Sequence, residues 1–304
     1  MMTAPNFCAK ANAKDDLPEA VGPHTTIDFD MTQFATILAN PLEKNLTEEV
    51  INQFARNCER LIVSRVITDG VAAEVEFAGK CPAKIDGFDL IIQDRKNIKL
   101  LVCDMESTII DNEFLDDIAE HLGIGEKVAA ITKRAMNNEI GFEESLQQRM
   151  ALVLGLRYDD AMKLMREKLK YNGGARHLID FCKANGIYTM LVSGGFTIFT
   201  EIVKEELGFD EHHANELIFT DGVLTGVQPP FLGRAQKLEI TKKQADKMGI
   251  SLSEVAAIGD GANDLDMLGA VGLPIAFHAK EKVKEVIKNQ FNHADLSGLI
   301  YCMR

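Results

Sequence analysis

The sequence predicts an α/β protein. A parallel sheet is covered by helices on both faces, a helical cap is inserted after its first strand, and a small α+β module precedes it. Three observations predict this. Past residue 97, short apolar runs alternate with helix-period segments, the pattern of buried parallel strands joined by crossover helices. Roughly eighty residues of mainly helical period separate the first two of those runs, far more than one crossover needs. Between residues 30 and 93, one helix-period segment lies among strand-like ones.

Residues 1–29 are polar, contain Pro5, Pro18 and Pro23, and lack a continuous apolar segment; they read as a flexible tail rather than a signal peptide or an anchor. Residues 31 to about 42 have strand character, and Thr47 is placed to cap a helix over LTEEVINQFARNCERL. LIVSRVITDGVAAEVEFAG then reads as two strands around Asp69-Gly70, a dipeptide favoured in tight hairpins. The charged run Gln93 to Asn97 serves as a linker, so the α+β module spans 30–96 and the larger domain 97–304. The strands of that Rossmann-like domain are IKLLVCD (98–104), GIYTMLVS (186–193), VAAIGD (255–260) and LPIAF (273–277). The cap occupies about 113–170, and ELIFTDGVLTG reads as a hairpin around Asp221-Gly222.

Composition limits the partners. With 46% hydrophobic residues, the 304-residue chain can bury a sizeable core. Its formal charge of −13, with basic residues interspersed among acids, argues against a nucleic-acid partner, which needs a clustered cationic face. Six scattered cysteines form no C-x-x-C pair and suggest neither a zinc site nor a redox dithiol. No stretch approaches the roughly 20 apolar residues of a membrane span, so no membrane partner and a cytoplasmic location are expected.

In open parallel sheets, ligands bind beyond the carboxyl ends of the strands. Asp104, Ser193 and Asp260 fall at those ends. Each could play an ordinary structural part: a carboxylate can cap a helix, and a strand-to-helix turn also uses glycine. Together they are more specific. Asp104 precedes Ser-Thr in DMEST, VSGGFT offers a hydroxyl and two glycines over which a phosphate can approach, and GDGANDLDML places Asp260, Asn263 and Asp264 as hard oxygen ligands.

DMEST, LVSGG, the lone Lys237 and GDGAND occur in the order found in the haloacid dehalogenase-like superfamily, which the chain resembles over about residues 97–300. More narrowly, it is similar to phosphoserine phosphatases of the bacterial type, and residues 30–96 more loosely resemble the ACT-like module of longer members. The resemblance implies hydrolysis of O-phospho-L-serine to L-serine and phosphate, as in serine biosynthesis. Asp104 would accept the phosphoryl group, and Glu106 would act as general acid and then base. Mg2+ would be held by Asp104, Asp260 and the Glu106 carbonyl. Ser193 and Gly194 would bind phosphate, Lys237 would supply a fixed charge, and Asn263 and Asp264 would orient substrate, water and lysine. In the cap, Glu113 would pair with the substrate ammonium and Arg149 with its carboxylate, while Phe142 would close over it. The family pattern has Asp where this chain has Glu106, a departure that bears on turnover rather than on binding. A homodimer is compatible with the ACT resemblance. Two alternatives stay open: a phosphatase for another small monoester, and a weakly active metabolite sensor.

Overall fold

The computed structural model describes residues 26–27, 31–94, 97–136 and 139–303. The tail expected over 1–29 lies outside these residues except for Thr26–Ile27, which pairs antiparallel with Cys81–Pro82. Arg95 and Lys96 of the expected linker also lie outside.

A four-stranded antiparallel sheet, ordered β2-β3-β1-β4, is built from β1 (Gln33–Leu38), β2 (Arg60–Thr68), β3 (Ala72–Ala78) and β4 (Asp89–Gln93). Helix α1 (Glu48–Arg56) covers one face, burying Ile51 and Phe54 against Ile37, Val75 and Phe77. The Thr47 hydroxyl accepts from the Val50 amide and so satisfies a helix-terminal N–H, as the sequence predicts. The first strand ends at Leu38, short of the expected 42. Asn40 turns the chain there, its side-chain oxygen accepting from Leu42 N and its carbonyl from Glu43 N and Lys44 N.

The opposite face is not solvated. Leu38, Ala72 and Ile91 join the core of the larger domain, which also contains Leu299 and Cys302 of its last helix. Asp89 accepts from the amides of Asn292, His293 and Ala294, and the Asn289 side chain bonds both N and O of Ile92, acting as a surrogate neighbour for the β4 edge.

The seven-stranded sheet contains β5 (Leu100–Cys103), β6 (Tyr188–Phe196), β7 (Glu211–Thr220), β8 (Val223–Gln228), β9 (Val255–Gly259), β10 (Leu273–Phe277) and β11 (Gln290–Phe291). Its order is β8-β7-β6-β5-β9-β10-β11, parallel except for the β7–β8 hairpin. β5 and β9 are buried throughout, which explains why they read as unbroken apolar runs. The connection from β5 runs to β6 on one side, and the chain later returns from β8 through α8 to place β9 on the other. The crevice opens at that reversal.

The cap comprises α2 (Phe114–His121), α3 (Gly125–Met136), α4 (Phe142–Val153) and α5 (Tyr158–Lys168). Phe114 anchors it, fully buried with its ring 4.6 Å from that of Phe199. Gly155 and Tyr158 donate backbone bonds to Leu224 and Gly222, so the cap is tied to the hairpin. Between β6 and the last strand lie α7 (Thr197–Leu207), α8 (Arg234–Met248), α9 (Leu265–Ala270) and α10 (Glu281–Val286); α6 (Ala175–Ala184) precedes β6 and α11 (Gly298–Met303) ends the described chain. No helix among the described residues is long and apolar enough to cross a membrane.

Candidate active site

Asp104 follows β5 and is 4% exposed; its amide donates to the carbonyl of Ile258 on β9. Residues 105–109 after it form an irregular turn. Glu106 is extended there (φ −68°, ψ 139°) and Ser107 left-handed (φ 53°); the first regular cap helix begins only at Phe114. Extended backbone at Glu106 is what brings its carboxyl group back toward the strand ends. Glu106 Oε1 accepts from Phe114 N at 2.9 Å. A Cβ on Gly195 would meet Glu106 Oε2 at 2.9 Å, so a side chain there would push the carboxyl group aside.

Lys237, one turn into α8, has no solvent exposure. Its Nζ lies 2.8 Å from Asp104 Oδ1 and 2.7 Å from Asp264 Oδ1. In isolation this lysine reads as a solvated helix residue; only the folded chain brings α8 against the ends of β5 and β9. Asp104 Oδ1 also accepts from Met105 N, so these bonds hold one carboxylate oxygen and leave Oδ2 out of them. Asp264 uses its other oxygen on Gly261 N, at 3.0 Å. Gly259 permits this approach, since a Cβ there would fall 2.5 Å from the Asp264 carboxyl carbon.

Carboxylate oxygens of Asp104, Asp260 and Asp264 lie within 4.8 Å of one another. Burial, with the charge of Asp264, pushes the Asp104 carboxyl group well above its ordinary value, against the pull of Lys237. Burial likewise raises Asp260, against the pull of Lys280. Burial would depress Lys237, but Asp104 and Asp264 more than reverse this and keep it an ammonium. Three buried acids thus face one buried base. An all-oxygen donor set with surplus negative charge fits a hard divalent cation better than a soft metal. With both Asp264 oxygens already engaged, Asp104 and Asp260 are the better-placed ligands.

Glu106 is pushed up to about 8, by burial and then by the charge of Glu113, partly offset by the Phe114 amide and by Arg149. Glu113 accepts from the Ser107 hydroxyl at 3.0 Å and is itself raised by burial, against Lys280. Arg149, half-buried on α4, donates from Nε to the Ser145 carbonyl. Phe142 opens α4 with its ring against Gly233 and Gly194. Ser193 is fully buried, Gly194 is half-buried, and Asn263 lies beside Gly194. Ten of the eleven residues singled out in the sequence therefore lie at the strand ends or in the cap above them, and the eleventh, Lys237, reaches the strand ends from α8.

Two residues escape the sequence reading. Lys280, just past β10, places Nζ 3.2 Å from Asp260 Oδ2, and the Asn215 side chain bonds the Gly194 and Gly195 carbonyls. A basic residue beyond the strand end LPIAF was a signal for the first. Nothing local marks the second.

A family model for haloacid dehalogenase-like hydrolases matches residues 101–269, a span that contains Asp104, Ser193, Lys237, Asp260 and Asp264. The chain belongs to the haloacid dehalogenase-like hydrolases. A phosphoserine phosphatase of Polaromonas sp. (strain JS666 / ATCC BAA-500) is 41% identical to this hydrolase over 218 residues, 70% of this chain and 91% of that relative. The solved phospho-aspartyl intermediate analogue of a phosphoserine phosphatase is 38% identical, with a TM-score of 0.64 over 69% of this chain and all of that one. A HAD family hydrolase from Salmonella enterica subsp. enterica serovar Typhi is 24% identical and aligns with a TM-score of 0.77 over 90% of this hydrolase and 98% of that chain, a likeness of fold.

Proposed function

We propose that this hydrolase is a phosphoserine phosphatase, converting O-phospho-L-serine to L-serine and phosphate through an aspartyl-phosphate on Asp104, in serine biosynthesis. The observation that carries the reading is the buried Asp104–Lys237–Asp264 ion network at the ends of β5 and β9, beside the Ser193–Gly194 turn. The names of the phosphoserine phosphatases it resembles direct the choice of substrate.

Asp104 Oδ2, the oxygen not held by Met105 N or Lys237, attacks phosphorus in line with the serine oxygen. The Ser193 hydroxyl and the Gly194 amide donate to phosphoryl oxygens, and Lys237 offsets charge on Asp104 and on the group in transfer. Glu106 holds a proton at neutral pH by virtue of its raised pKa, gives it to the departing serine oxygen, and then takes one from the water that attacks the acylphosphate. Glu113 faces the substrate ammonium, Arg149 its carboxylate, and Phe142 shields the pocket from water. Asp104, Asp260 and the Glu106 carbonyl would hold Mg2+, whose charge would reduce repulsion between an anionic nucleophile and an anionic ester. Asn263 and Asp264 hold the surrounding groups in place.

The test is phosphate release from L-phosphoserine against a panel of other small monoesters, with Mg2+ and then with excess chelator. Turnover at about 1 per second or more, preference for phosphoserine, and loss of activity under chelation are expected. Equal rates across the panel would remove the substrate assignment.

The partner that suits the small sheet is a second copy of this chain. Edge strand β2 is nine residues long and exposes Leu61, Ile62, Val63 and Val66, an apolar edge able to pair with another strand. Sedimentation is expected to give a dimer mass for the wild type and a monomer mass for Val63→Glu. A monomeric wild type would end this assignment. Buried free Cys58, Cys81, Cys103, Cys182 and Cys302 fit a reducing, cytoplasmic setting, which fractionation of the native host would check.

A further inference from the structure

We infer that Asn215 is a positioning residue that locks the phosphate-binding turn to the start of the lysine-bearing helix; the inference rests on the phosphatase reading above. The register of β6 against β7 shows why such a residue is needed. Val192 lies opposite His213 and Phe196 opposite Asn215, so Ser193, Gly194 and Gly195 face a single residue of β7. The extra length lifts the turn out of the ladder toward the crevice and removes the carbonyls of Gly194 and Gly195 from regular strand pairing. A buried carbonyl left without a partner is costly, so each of the two calls for a donor.

Asn215 supplies both. Its Nδ2 donates to Gly194 O at 2.8 Å and Gly195 O at 3.2 Å, and its Oδ1 accepts from Leu232 N at 2.7 Å. The residue is 2% exposed, so these bonds are shielded from water. With the Gly194 carbonyl held toward β7, the far side of the same peptide directs Gly195 N onto Ser193 Oγ at 2.9 Å. The hydroxyl oxygen is thereby engaged as an acceptor, and its hydrogen is left to donate to a phosphoryl oxygen.

The Leu232 bond reaches the other half of the site. Leu232 precedes Gly233, which caps α8 and accepts from Lys237 N at 3.1 Å. One side-chain amide therefore sets the spacing between the Ser193 hydroxyl and the Lys237 ammonium, two groups that must meet the same phosphoryl group. A displacement of about 1 Å in such groups can cost about 100-fold.

Asn215→Asp is nearly isosteric and keeps the acceptor for Leu232 N, but places an oxygen against the two glycine carbonyls. Asn215→Ala removes all three bonds. The experiment titrates inorganic phosphate into the full chain with Mg2+ by calorimetry, measures kcat and KM for phosphoserine, and records thermal melting. Both variants are expected to fold and to bind phosphate about 10- to 100-fold more weakly, and Asn215→Asp to raise KM by a similar factor. Folded variants with phosphate affinity and KM within twofold of wild type would overturn the inference. So would failure of both to fold, which would assign Asn215 to stability alone. A wild type that binds phosphate but leaves phosphoserine intact would count against the proposed substrate and not against Asn215.

Discussion

Asp104→Asn is expected to lose at least about 10⁴-fold in turnover while remaining folded, because on the proposed mechanism it removes the attacking oxygen and, with the charge, one carboxylate ligand for Mg2+. The amide preserves the shape of the carboxyl group. Lys237 keeps its 2.7 Å partner Asp264, so the buried ammonium is not orphaned. Acid-quenched wild-type protein incubated with phosphoserine should carry the mass of one added phosphoryl group, and the variant should carry none. Turnover by Asp104→Asn within tenfold of wild type would sink the aspartyl-phosphate mechanism, whatever the substrate.

Glu106 gives the second large effect. Glu106→Gln is expected to lower kcat about 10²- to 10⁴-fold, the usual contribution of a positioned acid-base group, with KM little changed. A general acid must be protonated, so turnover in the wild type should fall as pH rises through the Glu106 pKa. That fall should be absent from the residual activity of the Gln variant. The companion variant Glu106→Asp tests the departure from the family pattern. The longer side chain here reaches Phe114 N at 2.9 Å, and its other oxygen sits close to Gly195. The extra methylene is therefore used, and Asp at this position would withdraw from that anchor. A fall in kcat of about tenfold or more is expected. A sharp rise from near zero would instead show that the glutamate blunts catalysis, as the metabolite-sensor alternative requires.

Much of the site was legible because its chemistry is concentrated in short strand-end segments. Asp104, Ser193 and Asp260 follow unbroken apolar runs, and in a chain that also shows helical crossovers such runs mark buried parallel strands. Glu113, Phe142 and Arg149 were reachable only through resemblance, since on their own they look like solvated helix residues. Lys237 was harder still: its segment reads as polar helix, yet the residue has no exposure. The extended Glu106 and left-handed Ser107 of the turn at 105–109 carry no local signal, because the backbone there follows the surrounding strand ends rather than local propensity.

By itself, the sequence determined the class of fold, the order of strand, cap, strand and hairpin, and the residue types gathered at the carboxyl ends of the strands. Those features depend on periodicity and on contacts between near neighbours. Only the tertiary structure decided that Lys237 bridges Asp104 and Asp264, that Asn215 joins the Ser193–Gly195 turn to Leu232, and that Asp89 and Asn289 seal the small sheet to the large one. These bonds join groups from 17 residues apart, Leu232 to Asn215, to 205 apart, Ala294 to Asp89. A polar side chain at that separation acquires its meaning from burial and from the partner that burial obliges it to find.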